Sequence, residues 1–216
     1  MITTIFFDFD GVVIDSEPVH TETKAMVLDA YGISYPDDVF DNFKGVPEDK
    51  FFMYASEHLD SQHRPYELFI KKRREYLAEF LPKMPMITGF LDFMEHVKLK
   101  GLRTALVTSS TQQELQNLDK YLNIMGLFDQ VISADATLRH KPFPDPYFKA
   151  LDLMEVDQDN AMVIEDSFNG ILSGKKAGCK VYALTSTFSR QELINAGADC
   201  VFDSYEELRL LLDKEV

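Results

Sequence analysis

The sequence predicts an α/β protein built on a parallel sheet, and three observations carry that prediction. Short apolar runs recur along the chain, helical stretches separate them, and the one long gap between runs carries several helical patterns and no strand pattern. Alternation of strand and helix is the pattern of βα units around a parallel sheet.

The first run is Ile2 to Phe7. It is followed by Arg103 to Val107, Gln130 to Ser133, Ala161 to Ile164, Lys180 to Leu184 and Cys200 to Phe202. Helix starts are marked between them: Ser110 or Thr111 with Gln113 or Glu114, Ser189 with Glu192, and Ser204 with Glu207 have capping-box spacing. Gly101 and Gly178 stand where helices should stop. Between Asp15 and Leu81 no strand pattern occurs, whereas His20 to Ala30 and Pro65 to Phe80 carry helical patterns. A crossover between neighbouring parallel strands needs only one helix. The segment 16–81 is therefore expected to be a separate helical domain, inserted into a core made of 1–15 and 82–216, with Pro82 to Pro85 as the return linker. An insert hinged beside the first strand end is placed to act as a lid.

Composition narrows the function. The chain of 216 residues is 45% hydrophobic and carries a formal net charge of −14, with a pI near 4.7. That balance opposes nonspecific attraction to nucleic acid or to an anionic membrane. No stretch reaches the ~18 uninterrupted apolar residues of a membrane span, and the amino end enters a strand without a basic-then-apolar signal pattern. The expectation is a cytoplasmic monomer whose partner is a small molecule. Cys179 and Cys200, the two cysteines, each adjoin a core strand and are expected as reduced thiols without function. His58, His63 and His96 show no partner pattern and read as ordinary surface or structural residues.

Polar chemistry collects at four predicted strand ends, the place where open α/β sheets bind ligands. The first strand ends in Asp8-Phe9-Asp10-Gly11, two acids that can divide the work of nucleophile and proton carrier. The second delivers Thr108, Ser109 and Ser110 ahead of a helix, a natural phosphate cradle. After the third, prolines stiffen the loop that presents Lys141. The fourth ends in Glu165-Asp166. Two carboxylate pairs suit magnesium, which favours hard oxygen ligands. Each feature alone has an ordinary reading as turn, cap or solvated charge; their ordered conjunction does not.

That ordered set resembles the haloacid dehalogenase-like superfamily, along essentially the whole chain. The resemblance implies a Rossmann-like parallel sheet core with an inserted small α-helical cap domain. It implies Asp8 as the nucleophile that forms an aspartyl-phosphate, and Asp10 as the acid that protonates the leaving oxygen and then serves as base. Thr108 and Lys141 would hold phosphoryl oxygens, Lys141 also offsetting the charge of Asp8. Magnesium would be held by Asp8, the Asp10 carbonyl and Asp166, with Glu165 in support. Dehalogenases of this superfamily lack the second acid, so Asp10 points to phosphoryl transfer.

The insert resembles the small cap of the β-phosphoglucomutase-like group, with His20 and the loop Lys44-Gly45-Val46 matching its pattern. Where the mutase grips a distal phosphate with an arginine, this chain has Glu48, a carboxylate expected to repel it. Lys72 matches the mutase's cap lysine. At 100° per residue, Lys72 and Arg73 fall within or beside the apolar arc of Phe69, Tyr76, Leu77 and Phe80, while Lys71 and Arg74 point away. Lys72 or Arg73 is expected to reach substrate; the alternative is a solvated basic run. The leading expectation is a magnesium-dependent phosphatase of a small sugar or polyol phosphate. A phosphosugar mutase is the rival enzyme, and a phospho-accepting or binding-only module the non-enzyme rival.

Overall fold

A computed structural model describes residues 1–44 and 46–215. The chain forms two compact units, one of 1–15 with 85–216 and one of 16–84.

The first unit is a six-stranded sheet, all parallel, in which β1 (Thr4–Phe7), β2 (Arg103–Val107), β3 (Gln130–Ile132), β4 (Ala161–Glu165), β5 (Lys180–Leu184) and β6 (Cys200–Phe202) lie in the order β3-β2-β1-β4-β5-β6. β1 is central, flanked by β2 and β4, so strand order reverses beside it and opens the crevice where such sheets bind ligands. Both faces are covered, which is why its strands read as continuous apolar runs. Phe6 faces one side, packed with Val107, Val163 and Val181 and with the helices α6 (Asp145–Met154) and α7 (Phe168–Lys176). Phe7 faces the other side, edge-on to Phe90 and Phe93 of α4 (Phe90–Leu99) and to Phe128. Tyr205, opening α9 (Tyr205–Leu212), completes that aromatic layer.

Local signals decide the helix ends. Thr111 caps α5 (Gln112–Leu122) and Ser189 caps α8 (Arg190–Asn195), each in a complete capping box. At α9 the box is half made: Ser204 accepts from Glu207 N, but the Glu207 carboxylate accepts from Asp203 N at 2.8 Å instead. Gly101 and Gly178 close α4 and α7 with positive φ. Both cysteines are free, Cys179 buried and Cys200 half-buried.

The second unit holds α1 (Glu17–Ala30), α2 (Glu48–Tyr54) and α3 (Tyr66–Phe80). They pack Val27, Leu28, Phe51, Phe52 and Phe69 into a small core of their own. Residues 82–84, expected in the sheet unit, instead belong here, because a 3₁₀ turn over Leu81–Lys83 prolongs α3 and Met84 is buried. Among the described residues, no helix is long and apolar enough to cross a membrane.

Candidate active site

The Asp8 amide donates to Ile164 O at 2.9 Å and so extends the β1–β4 ladder by one residue. The chain then folds back on itself, Val13 N and Ile14 N both bonding Phe9 O. Gly11 makes this turn with φ +71, and a Cβ there would lie 1.9 Å from Asp166 Oδ2. Only glycine fits both the conformation and the space. The carboxyl ends of β1 and β4 are thereby drawn together.

Lys141 reaches this crevice from the loop between β3 and α6. Its ammonium donates to Asp8 Oδ1 and Glu165 Oε1, both at 2.6 Å, and to Val107 O at 3.0 Å. An ammonium has three hydrogens, and these contacts use all of them. Glu165, the last residue of β4, is wholly buried and fully engaged. Its Oε1 also accepts from the Tyr147 hydroxyl at 2.8 Å, and its Oε2 from Ser167 Oγ at 3.1 Å. Space for that carboxylate exists because residue 170 is glycine: a Cβ there would stand 1.8 Å from Glu165 Oε1.

Asp166 turns the other way. Thr187 donates a short hydrogen bond to its Oδ2, and Ser186, which bonds Gly11 O at 2.5 Å, lies 3.4 Å from the same oxygen. On the β2 side, buried Thr108 accepts from Ser110 N at 2.9 Å, leaving its own hydroxyl hydrogen available to a ligand. Ser110 is half-buried and Ser109 exposed. Tyr147, Ser167, Ser186 and Thr187 are members of the site that sequence reasoning missed. The last two stand a little beyond β5, and nearness to that strand's end is the signal that could have found them.

Three buried carboxylates, Asp8, Glu165 and Asp166, each bring an oxygen within 4.8 Å of the others. Lys141 is the cation bonded to two of them. Burial and the charge of Glu165 push the Asp8 carboxyl up to about 7 against the pull of Lys141. Burial, then the charges of Asp8 and Glu165, raise Asp166 well above the carboxylate range. Burial works against the Lys141 ammonium, but its two carboxylate partners raise it on balance. A buried excess of negative charge on hard oxygen donors fits a divalent cation. Asp8 and Asp166 are the donors to offer it, since both Glu165 oxygens are committed to protein partners. The Asp10 carboxylate is not a member of the cluster.

The remaining sequence candidates lie in the helical unit. Arg73 is buried on α3, its Nε donating to Thr23 Oγ1 at 3.1 Å, its NH1 to Glu48 in a short bond, and its NH2 to His20 Nδ1 at 2.5 Å. A guanidinium only donates, so His20 Nδ1 is the acceptor. Glu48 is therefore half of a charge-compensated pair, not the bare repelling carboxylate that its position suggested. Lys72 pairs with Glu75 at 2.9 Å and lies over the Tyr76 ring, half-exposed, while Lys71 and Arg74 are exposed. Gly45 falls outside the described residues.

The chain is similar to known proteins along its length. The family model described as haloacid dehalogenase-like hydrolase matches residues 5–184. A phosphorylated carbohydrates phosphatase of Thermotoga maritima is 30% identical over 217 aligned residues, covering 98% of each chain. A validoxylamine A 7'-phosphate phosphatase of Streptomyces hygroscopicus subsp. limoneus is 28% identical, covering 97% of each. A Thermotoga maritima crystal structure provisionally assigned as a beta-phosphoglucomutase superposes with a TM-score of 0.86 at 28% identity, covering all of both chains. The chain is an enzyme and belongs to the haloacid dehalogenase-like hydrolase family.

Proposed function

We propose that this enzyme is a phosphatase that hydrolyses the phosphate ester of a small sugar or polyol through an aspartyl-phosphate on Asp8, with magnesium as its metal. The observation that carries the reading is the Asp8 carboxylate at the end of the central strand, gripped by Lys141, with a second acid two residues on. Phosphatases of phosphorylated carbohydrates among its relatives support the substrate class.

In the first half-reaction an Asp8 oxygen attacks phosphorus and the bond to the ester oxygen breaks. Asp10 supplies the proton that the departing alkoxide takes. In the second, Asp10 removes a proton from water as its oxygen attacks phosphorus, and the bond to Asp8 breaks. Asp10 ends as it began, and the products are the alcohol and inorganic phosphate. Thr108 donates to a phosphoryl oxygen, and Lys141 holds Asp8 in line. Bound between Asp8 and Asp166, magnesium would offset charge on the phosphoryl oxygens.

Water is the favoured acceptor because Arg73, the cation bonded to Glu48, is already engaged within the helical unit. Its guanidinium is engaged on Nε, NH1 and NH2 by Thr23, Glu48 and His20, all of the same unit. The test is phosphate release from a panel of sugar and polyol phosphates with magnesium, run beside β-glucose 1-phosphate. Release from one or two compounds is expected. Conversion of β-glucose 1-phosphate to glucose 6-phosphate without free phosphate would replace the reading with a mutase.

The metal reading has a thermal consequence. An Asp8 carboxyl held near 7 keeps its proton in the fold at pH values where the unfolded chain has lost it. Its effect on stability is therefore most favourable below the ordinary carboxylate pKa and declines as pH rises through 7. A cation that binds the ionised cluster offsets that loss. Magnesium is expected to raise Tm more at pH 8 than at pH 5.5; equal shifts at both would count against cation binding by this cluster.

A further inference from the structure

Tyr147 has no role in the chemistry just described, yet its hydroxyl is spent on the one residue that shares Lys141 with the nucleophile. The ring is fully buried, stacked at 6.4 Å on Phe6 of the central strand. From the first turn of α6, its hydroxyl donates to Glu165 Oε1 at 2.8 Å, the same oxygen that accepts from Lys141. The Lys141 ammonium also lies 5.1 Å from the centre of the Tyr147 ring. One side chain thus contacts both partners of the ion pair, the carboxylate through its hydroxyl and the cation through its face.

Glu165 and Asp8 compete for a single ammonium at equal distance. A carboxylate that already accepts from two hydroxyls holds its negative charge less available to a third donor. We propose that Tyr147 is a positioning residue: by donating to Glu165 it balances the sharing of Lys141 and keeps that ammonium against Asp8. Without the hydroxyl, Glu165 becomes the stronger acceptor and draws Lys141 away from the nucleophile. This rests on the phosphatase reading for its kinetic consequence, but not for its structural one.

The test is Tyr147→Phe, which keeps the ring, measured on the full chain beside Tyr205→Phe, which removes another buried hydroxyl, from Val12 O. Tyr147→Phe is expected to lower kcat roughly ten- to hundredfold, the scale of a small misplacement, with KM changed by less than about threefold. Tyr205→Phe is expected to lower Tm and leave kcat unchanged. Independently of any substrate, the Lys141 ammonium signal, observed by NMR in lysine-labelled protein and identified by its loss in Lys141→Arg, is expected to shift in Tyr147→Phe and stay in Tyr205→Phe. An unmoved signal would overturn the proposal even if no substrate had been found. A moved signal with kcat within about twofold of the parent would overturn the positioning role.

Discussion

Asp8→Asn is expected to lower kcat by about 10⁴-fold or more, the scale seen when a covalent nucleophile is removed, while making the metal-free protein more heat-stable at pH 8. The two effects share one cause. Asp8 is buried beside Glu165 and Asp166, and those surroundings push its carboxyl up to about 7. Ionisation at pH 8 thus works against the fold. The amide keeps the shape and an oxygen for Lys141 but carries no charge to repel its neighbours. Thermal melts with chelator and turnover on the best panel substrate check both halves. A fall of several degrees in Tm would contradict the electrostatic account, and substantial residual turnover would remove Asp8 as nucleophile.

Lys141→Met is expected to be the most destabilising single change at the site. Methionine fills the volume of the stem but leaves Asp8 and Glu165 buried without the ammonium they share. Removing one partner of a buried ion pair costs about 3–5 kcal/mol, and for a chain of this size that is roughly 10 °C in Tm. The loss should be smaller at pH 5, where the raised carboxyls of Asp8 and Asp166 take up protons, and larger at pH 8. Melts of the metal-free variant at the two pH values check this; an equal loss at both would mean that packing, not charge, is what Lys141 contributes. Turnover is expected to fall by about 10³-fold, since the nucleophile loses the cation that orients it.

Much of the core was legible because a parallel sheet writes itself into sequence twice. Its strands appear as apolar runs, and its functional residues as polar residues immediately after those runs. Asp8, Asp10, Thr108, Glu165 and Asp166 were readable on that rule and Lys141 from its proline-stiffened loop well past the third run, and the structure brings the side chains of Asp8, Lys141 and Glu165 into direct contact. Ser186 and Thr187 stand a little beyond the fifth run and were passed over, because their partner Asp166 lies 20 and 21 residues back along the chain. Tyr147 could not be told from a core aromatic: nothing local says that its hydroxyl meets a carboxylate 18 residues away along the chain.

The helical unit shows where local reading stops. Helical spacing placed Lys72 and Arg73 close to one arc, but only packing separates them, burying Arg73 and leaving Lys72 on Glu75. Glu48 read as an isolated negative charge because its partner lies 25 residues further on. The sequence by itself determined the parallel sheet, the inserted helical segment and the order of acids, hydroxyl and lysine, since these follow from periodicity and from residue types at strand ends. Tertiary structure alone decided which strands became neighbours, which carboxylate Lys141 would share, and how far burial would move each proton. Those properties depend on distances of a few ångströms between residues far apart in the chain, and on the low dielectric that only a closed core provides.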